Sequence, residues 1–107
     1  MDPIKEALTF DDVTLAPKYS SVLPSEVNTS VKLSKNLNLK IPLLSSAMDT
    51  VTESKMAIEI AKAGGIGVIH RNLSINDQIL EIKKVQKKGL VVGAAVGTND
   101  TELSRAE

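Results

Sequence analysis

Cysteine and tryptophan are absent from the 107-residue chain, and phenylalanine, tyrosine and histidine occur once each. Without cysteine there is no disulfide framework, no Cys-ligated zinc and no thiol nucleophile within these residues, and His70 alone cannot build a His-rich metal site. Charge of one sign is missing too. Thirteen Lys and Arg balance thirteen Asp and Glu, so nothing electrostatic points to nucleic acid or to a membrane surface. No apolar run approaches the roughly 18 residues that cross a bilayer. The start Met1-Asp-Pro-Ile-Lys-Glu6 lacks a basic region followed by an apolar one, so no leader is predicted and a cytoplasmic setting is the default. With aromatics at 2% and hydrophobic residues at 42%, the core must come from Ile, Leu, Val, Ala and Met. That palette is typical of buried parallel strands lying under helices.

What is present is a repeating alternation. Residues 1–40 read as a loop-rich lead-in punctuated by Pro17 and Pro24, with short strand-like pieces over Val27–Leu33 and Leu37–Lys40. Ile41-Pro-Leu-Leu-Ser45 then fits a short buried strand. Thr50-Val-Thr-Glu53 has capping-box spacing, which predicts a helix over about 51–63 stopped by Gly64-Gly65. Ile66–His70 gives a second strand. Ser74 precedes a second helix with Ile75, Ile79, Ile82 and Val85 on one face and Lys83, Lys84, Lys87, Lys88 and Gly89 at its end, where cations oppose the negative pole of the dipole. Leu90–Val96 gives a third strand, and Asn99 or Asp100 is placed to cap a third helix. The unit recurs at roughly 25 residues, which predicts an α/β fold with parallel strands joined by helical crossovers. Three such units close no sheet. Residues 41–107 therefore read as the opening portion of a larger doubly wound sheet or (β/α)₈ barrel.

In such folds ligands bind at the carboxyl ends of the strands, and three polar clusters fall there: Ser45–Thr50, His70–Asn72 and Gly97–Asp100. The first reads in two ways. Thr50 caps the helix, with Asp49 favouring its dipole and the serines bonding loop amides; or Ser46 bonds a polar ligand while the polarizable Met48 lies against a planar ring. Capping needs only Thr50 and Glu53, which leaves the serines and Met48 without a structural task. His70 reads as structural, bonding a loop carbonyl, with no carboxylate partner assignable, and Arg71 as a surface ion pair. Gly64-Gly65-Ile66-Gly67 precedes a strand rather than opening a helix, so it is a helix stop and not a dinucleotide loop.

Four strings, in order, carry a family resemblance: Leu8-Thr-Phe-Asp-Asp-Val-Thr-Leu-Ala-Pro17, Ile41-Pro-Leu-Leu-Ser-Ser-Ala-Met-Asp-Thr-Val-Thr-Glu53, Gly64-Gly-Ile-Gly-Val-Ile-His-Arg-Asn72 and Val92-Gly-Ala-Ala-Val-Gly97. Together they closely resemble the amino-terminal part of inosine-5′-monophosphate dehydrogenase. The resemblance implies an incomplete (β/α)₈ TIM barrel, its first three βα units preceded by a loop-rich segment. It implies NAD-dependent oxidation of IMP to XMP, a step toward guanine nucleotides, in a cytoplasmic homotetramer with a monovalent cation, potassium. A cysteine attacks the purine, hydride passes to NAD, and water releases the adduct. Carried over by position, Ser46 and Met48 contact the nucleotide, Met48 beside the hypoxanthine ring, and Thr98 and Asn99 fall where some members touch the adenosine part of NAD.

The chain departs from that pattern twice. The family's nucleophilic cysteine, phosphate loops, cation loop and mobile flap all come after the third strand, so these 107 residues alone are expected to be inactive and to need the remaining barrel segment. Most members also insert a pair of CBS modules between the second helix and third strand; here the junction at 86–91 is direct. GMP reductase, which lacks that insert, is the nearest alternative, although "TVTESKMA" and "GGIGVIHRN" look more like the dehydrogenase. A non-catalytic βα module that binds a phosphorylated ligand is the alternative of a different class.

Overall fold

A three-stranded parallel sheet with two helices against it organises the chain in the computed structural model, which describes residues 5–107. Residues 1–4, part of the no-leader reading, lie outside the described residues. From Lys5 to Ser30 the chain runs exposed, with one 3-10 turn at Pro24–Glu26. That arm raises the radius of gyration to 18.1 Å, against about 13 Å for a compact chain of this size. An antiparallel hairpin follows, β1 (Val31–Ser34) and β2 (Leu37–Leu39) around Lys35-Asn36. These are the short strands the alternating pattern called for.

The parallel sheet comprises β3 (Leu44–Ser45), β4 (Ile66–Ile69) and β5 (Val92–Ala94) in sequential order, with Ser45 beside Gly67 and Ile69 beside Ala94. Each strand is shorter than its apolar run. Pro42 has no N–H for a ladder, and Leu43 reaches the sheet only through its carbonyl, which accepts from Ile66 N–H at 3.0 Å. Helix α1 (Ser54–Lys62) connects β3 to β4, α2 (Ile75–Gln86) connects β4 to β5, and a four-residue α3 (Asp100–Leu103) follows β5.

Ala57 of α1, Ile69 of β4 and Val85 of α2 are fully buried in one cluster, with Ile58, Leu73, Ile82, Leu90 and Val92 packed around it. Both helices therefore cover the same face of the sheet. Gly67 is what lets α1 come so close: a Cβ there would sit 2.5 Å from Ala57 Cα and 2.6 Å from its Cβ. On the opposite face Leu44 is left exposed.

The helix stops match the sequence reading and one start does not. Gly64 adopts φ 101 after α1 and Gly89 φ 67 after α2, the left-handed conformation that ends a helix. Ser74 caps α2 by accepting from Asp77 N–H at 3.1 Å, and Asn99 caps α3 by accepting from Glu102 N–H at 2.9 Å. The capping box at Thr50 and Glu53, however, does not form. Helix α1 begins at Ser54 rather than 51, with Glu53 itself at the N-cap and no bond from its side chain to the helix. The Glu53 carboxylate turns instead toward His70, and the Ser54 N–H donates to Glu81 Oε2 of α2 at 2.7 Å.

Candidate functional site

The parallel register sets Ser46, His70 and Ala95 at one end of the sheet, as the residues that follow β3, β4 and β5. Adjacent strands lie about 4.8 Å apart, so the loops after β3 and β5 flank a rim roughly 10 Å across. Helices on one face and a row of loops at the carboxyl ends define a parallel α/β unit, and folds of that class bind ligands at this edge.

The first loop is held from beneath by Thr52, which is fully buried. Its hydroxyl donates to the Ser46 carbonyl at 2.6 Å and shares a bond with Ser45 Oγ at 2.8 Å. Met48 N–H donates to the Ser46 carbonyl at 2.9 Å, and the Met48 carbonyl accepts from Val51 and Thr52 N–H at 2.9 Å each. The turn 46–52 is thus closed by its own backbone. Ser45 has a structural task after all, while the side chains of Ser46 and Met48 remain exposed, Met48 by 54%. An exposed thioether at a closed turn adds little packing to the fold, so its surface is available to a ligand.

Two bonds tie this loop to the one after β4. Asn72 Nδ2 donates to Asp49 Oδ2 at 3.0 Å, and His70 Nε2 lies 3.2 Å from Glu53 Oε1. His70 Nδ1 accepts from Asn72 N–H at 3.2 Å, so the neutral ring carries its proton on Nε2 and donates it to Glu53. His70 is structural, as its place in the sequence implied, but its partner is a carboxylate 17 residues away rather than a loop carbonyl. Nothing local in the sequence pairs those two residues. Asp49 likewise serves Asn72.

Two residues that the sequence reading passed over do the most to shape the rim. Glu81 accepts from Ser54 N–H and pairs with Lys84. Burial pushes its carboxyl up, but the hydrogen bonds from Lys84 and Ser54 and the charge of Lys84 outweigh this and lower it to about 2. Gln78, one turn earlier on α2 and 2% exposed, sends its amide group to the carbonyls of His70 at 3.1 Å and Ala95 at 3.0 Å, with Ile69 at 3.4 Å. Its only sequence cue is a polar residue three positions before Glu81 and four after the Ser74 cap, on a helix whose polar residues other than these two are exposed.

Thr98 and Asn99 follow Gly97 at the far side of the rim. The Asn99 carboxamide oxygen serves the α3 cap. Arg71 lies 3.8 Å from Glu102 Oε2, in the ion pair expected of it. Burial pushes the Glu102 carboxyl up, yet the Gly97 N–H and the Arg105 and Arg71 guanidiniums hold it below the usual carboxylate range. A separate open concavity of about 450 Å³ is lined by Asp49, Thr50, Val51, Glu53, Met56 and Glu59 among others. It includes neither Ser46 nor Met48. Among the described residues no three His, Cys, Asp or Glu side chains gather as a metal site, and no helix is long and apolar enough to cross a membrane.

Residues 7–107 match the family described as the IMP dehydrogenase / GMP reductase domain. An inosine-5′-monophosphate dehydrogenase of Borreliella burgdorferi is 68% identical over 82 residues, which make up 77% of this chain and 20% of that protein. The enzyme of the same name from Aquifex aeolicus is 51% identical over 105 residues, 96% of this chain and 21% of that protein. That of Streptococcus pyogenes is 50% identical over 106 residues, 97% of this chain and 22% of that protein. The chain belongs to the IMP dehydrogenase / GMP reductase family, and it spans about a fifth of the length of these relatives.

Proposed function

We propose that the whole protein containing this chain is an NAD-dependent IMP dehydrogenase that oxidises IMP to XMP. Residues 41–107 would supply the first three βα units of its (β/α)₈ barrel and residues 1–40 the segment leading into them. The observation that carries the barrel is that α1 and α2 cover one face only. A doubly wound sheet has helices on both faces, whereas a barrel keeps all of them outside. In that reading Ser46 offers its hydroxyl to the nucleotide and Met48 its thioether to the face of the purine. Thr52 and the closed backbone hold that turn before substrate arrives, which lowers the ordering cost of binding. Thr98 and Asn99 would meet the adenosine end of NAD, and the exposed Thr98 hydroxyl suits a ribose. NAD, when bound, accepts the hydride removed from the purine. The potassium ion that the resemblance implies would be held by the family's cation loop, which comes after the third strand.

The cysteine chemistry also belongs to other residues, so the isolated 107-residue polypeptide should form no NADH from IMP and NAD. The direct α2-to-β5 junction at 86–91 fits a member without CBS modules. The whole enzyme is proposed to work in the cytoplasm as a homotetramer. The deciding experiment offers the full-length protein IMP with NAD and, separately, GMP. NADH formation supports the dehydrogenase, while deamination of GMP with no NADH from IMP makes it a reductase. Tight IMP binding by the isolated chain would instead favour a self-sufficient binding module. Met48→Ala in the full-length enzyme should weaken IMP binding by about tenfold and leave the thermal midpoint unchanged; unaltered IMP affinity would remove Met48 from the site.

A further inference from the structure

The ladder between β4 and β5 ends where Ala95 N–H donates to the Ile69 carbonyl at 2.9 Å. Past that bond the two chains separate toward their loops, leaving the carbonyls of His70 and Ala95 without a strand partner, and the buried Gln78 amide supplies one to both. A residue needed only for packing at this position would be apolar, because an amide has to recover its lost hydration bond by bond. The network continues outward. Gln78 Oε1 accepts from Arg105 Nη1 at 3.1 Å, and the same nitrogen donates to the Leu73 carbonyl at 3.0 Å. Arg105 Nε donates to Glu102 Oε2 at 3.0 Å, and that oxygen accepts from Gly97 N–H at 3.3 Å.

Arg105 is 10% exposed and Glu102 19%, so the network is sheltered and its bonds are strengthened accordingly. At its outer end there is no spare room, since a Cβ on Gly97 would stand 2.6 Å from Arg71 Nη1 and 2.7 Å from Glu102 Cγ. The path of Gly97, and with it the start of Thr98-Asn99, is therefore bounded by Arg71 and by Glu102, and Glu102 is held in turn by Arg105, which Gln78 anchors.

We infer that Gln78, Arg105 and Glu102 are positioning residues for dinucleotide binding, acting by fixing the loop Gly97–Asn99. This rests on the reading above that the loop meets the adenosine end of NAD. The planar guanidinium is suited to the part because one rigid fork addresses Gln78, Leu73 and Glu102 together, which an ammonium cannot do. The IMP turn is closed by its own backbone and by Thr52, and meets this network only through His70, remote from Arg105 and Glu102.

The test uses the full-length protein and equilibrium titration with NAD and with IMP, alongside urea denaturation. Arg105→Ala should weaken NAD about tenfold, equivalent to about 1.4 kcal/mol, with IMP affinity within about twofold of wild type. Added millimolar guanidinium should restore most of the NAD affinity, whereas Arg105→Lys should not. Should Arg105→Ala fail to fold, Glu102→Gln serves, with a smaller loss confined to NAD. Equal weakening of both ligands, unchanged NAD binding, or indifference to guanidinium would overturn the inference while leaving the assigned function standing. A wild-type protein that binds neither ligand would remove the function, and the purpose of the network with it.

Discussion

Replacing Gly67 by alanine tests the packing on which the site stands. The added Cβ would meet Ala57 Cα at 2.5 Å and Ala57 Cβ at 2.6 Å, where carbon atoms ordinarily rest at about 3.5–4.0 Å. One of these atoms is helix backbone, so no rotamer relieves the clash, and α1 has to retreat by about 1 Å. Ala57 is fully buried and the amino end of α1 is bonded to Glu81, so the retreat also strains both. Overpacking of a tight core costs about 1–3 kcal/mol, and the upper end is expected here. With a urea slope of about 1–3 kcal/mol/M, a 3 kcal/mol loss lowers the midpoint by about 1 M or more. Gly93→Ala is the control, because its Cβ comes no nearer than 3.3 Å to any atom, the Val68 Cγ2 methyl, with its other neighbours at an ordinary 3.7 Å, and should cost far less. Ala57→Gly should rescue Gly67→Ala in part, removing the 2.6 Å contact and leaving the 2.5 Å one. Gly67→Ala at wild-type stability in the full-length protein, or as mild as Gly93→Ala, would refute the close α1–β4 packing.

Glu81→Gln probes the bond that starts α1. The native carboxyl is lowered from 4.5 to about 2, so its stabilisation is complete above about pH 4.5 and is lost as pH falls through about 2. At about 1.36 kcal/mol per unit the shift bounds the contribution near 3 kcal/mol. Lys84 is more than half exposed, and solvent screening brings the expected figure to about 1–2 kcal/mol. Urea titrations should show wild type ahead of the variant by that amount at pH 7 and the gap narrowing below pH 4.5; a gap independent of pH would count against the charge. At Gly89 a Cβ meets nothing within 4 Å, but φ is 67, so Gly89→Ala should cost about 1 kcal/mol from backbone strain alone. Gly89→Asn should cost less, and equal losses would argue against a left-handed turn.

The elements that could be read from the sequence were those written locally. The βα alternation, Ser74 as a cap, the glycine stops and the hairpin pieces each depend on residues within a few positions of one another, and all are present. What escaped depends on partners far along the chain. Thr50-Val-Thr-Glu53 has the spacing of a capping box, yet Thr52 bonds Ser46, Glu53 faces His70, and the helix takes its cap from Glu81, 27 residues on. A local motif yielded to tertiary bonds that satisfy more buried groups. Gln78 and Arg105 were invisible for the same reason, since each looks like an ordinary helix-surface polar residue until the strand ends meet it. The positions of Ser46, Met48, Thr98 and Asn99 at strand ends were legible; what steadies them was not.

The turn at Gly89 has a consequence for engineering. Here α2 hands over to β5 at a glycine whose Cβ position has no atom within 4 Å, with both flanking elements anchored in the core through Val85 and Val92. A loop position that opens to solvent tolerates added chain far better than one that is packed. A reporter domain with its two termini close together could be spliced in at this bend, and any shift of α2 against β5 would then be read out as a change in the guest.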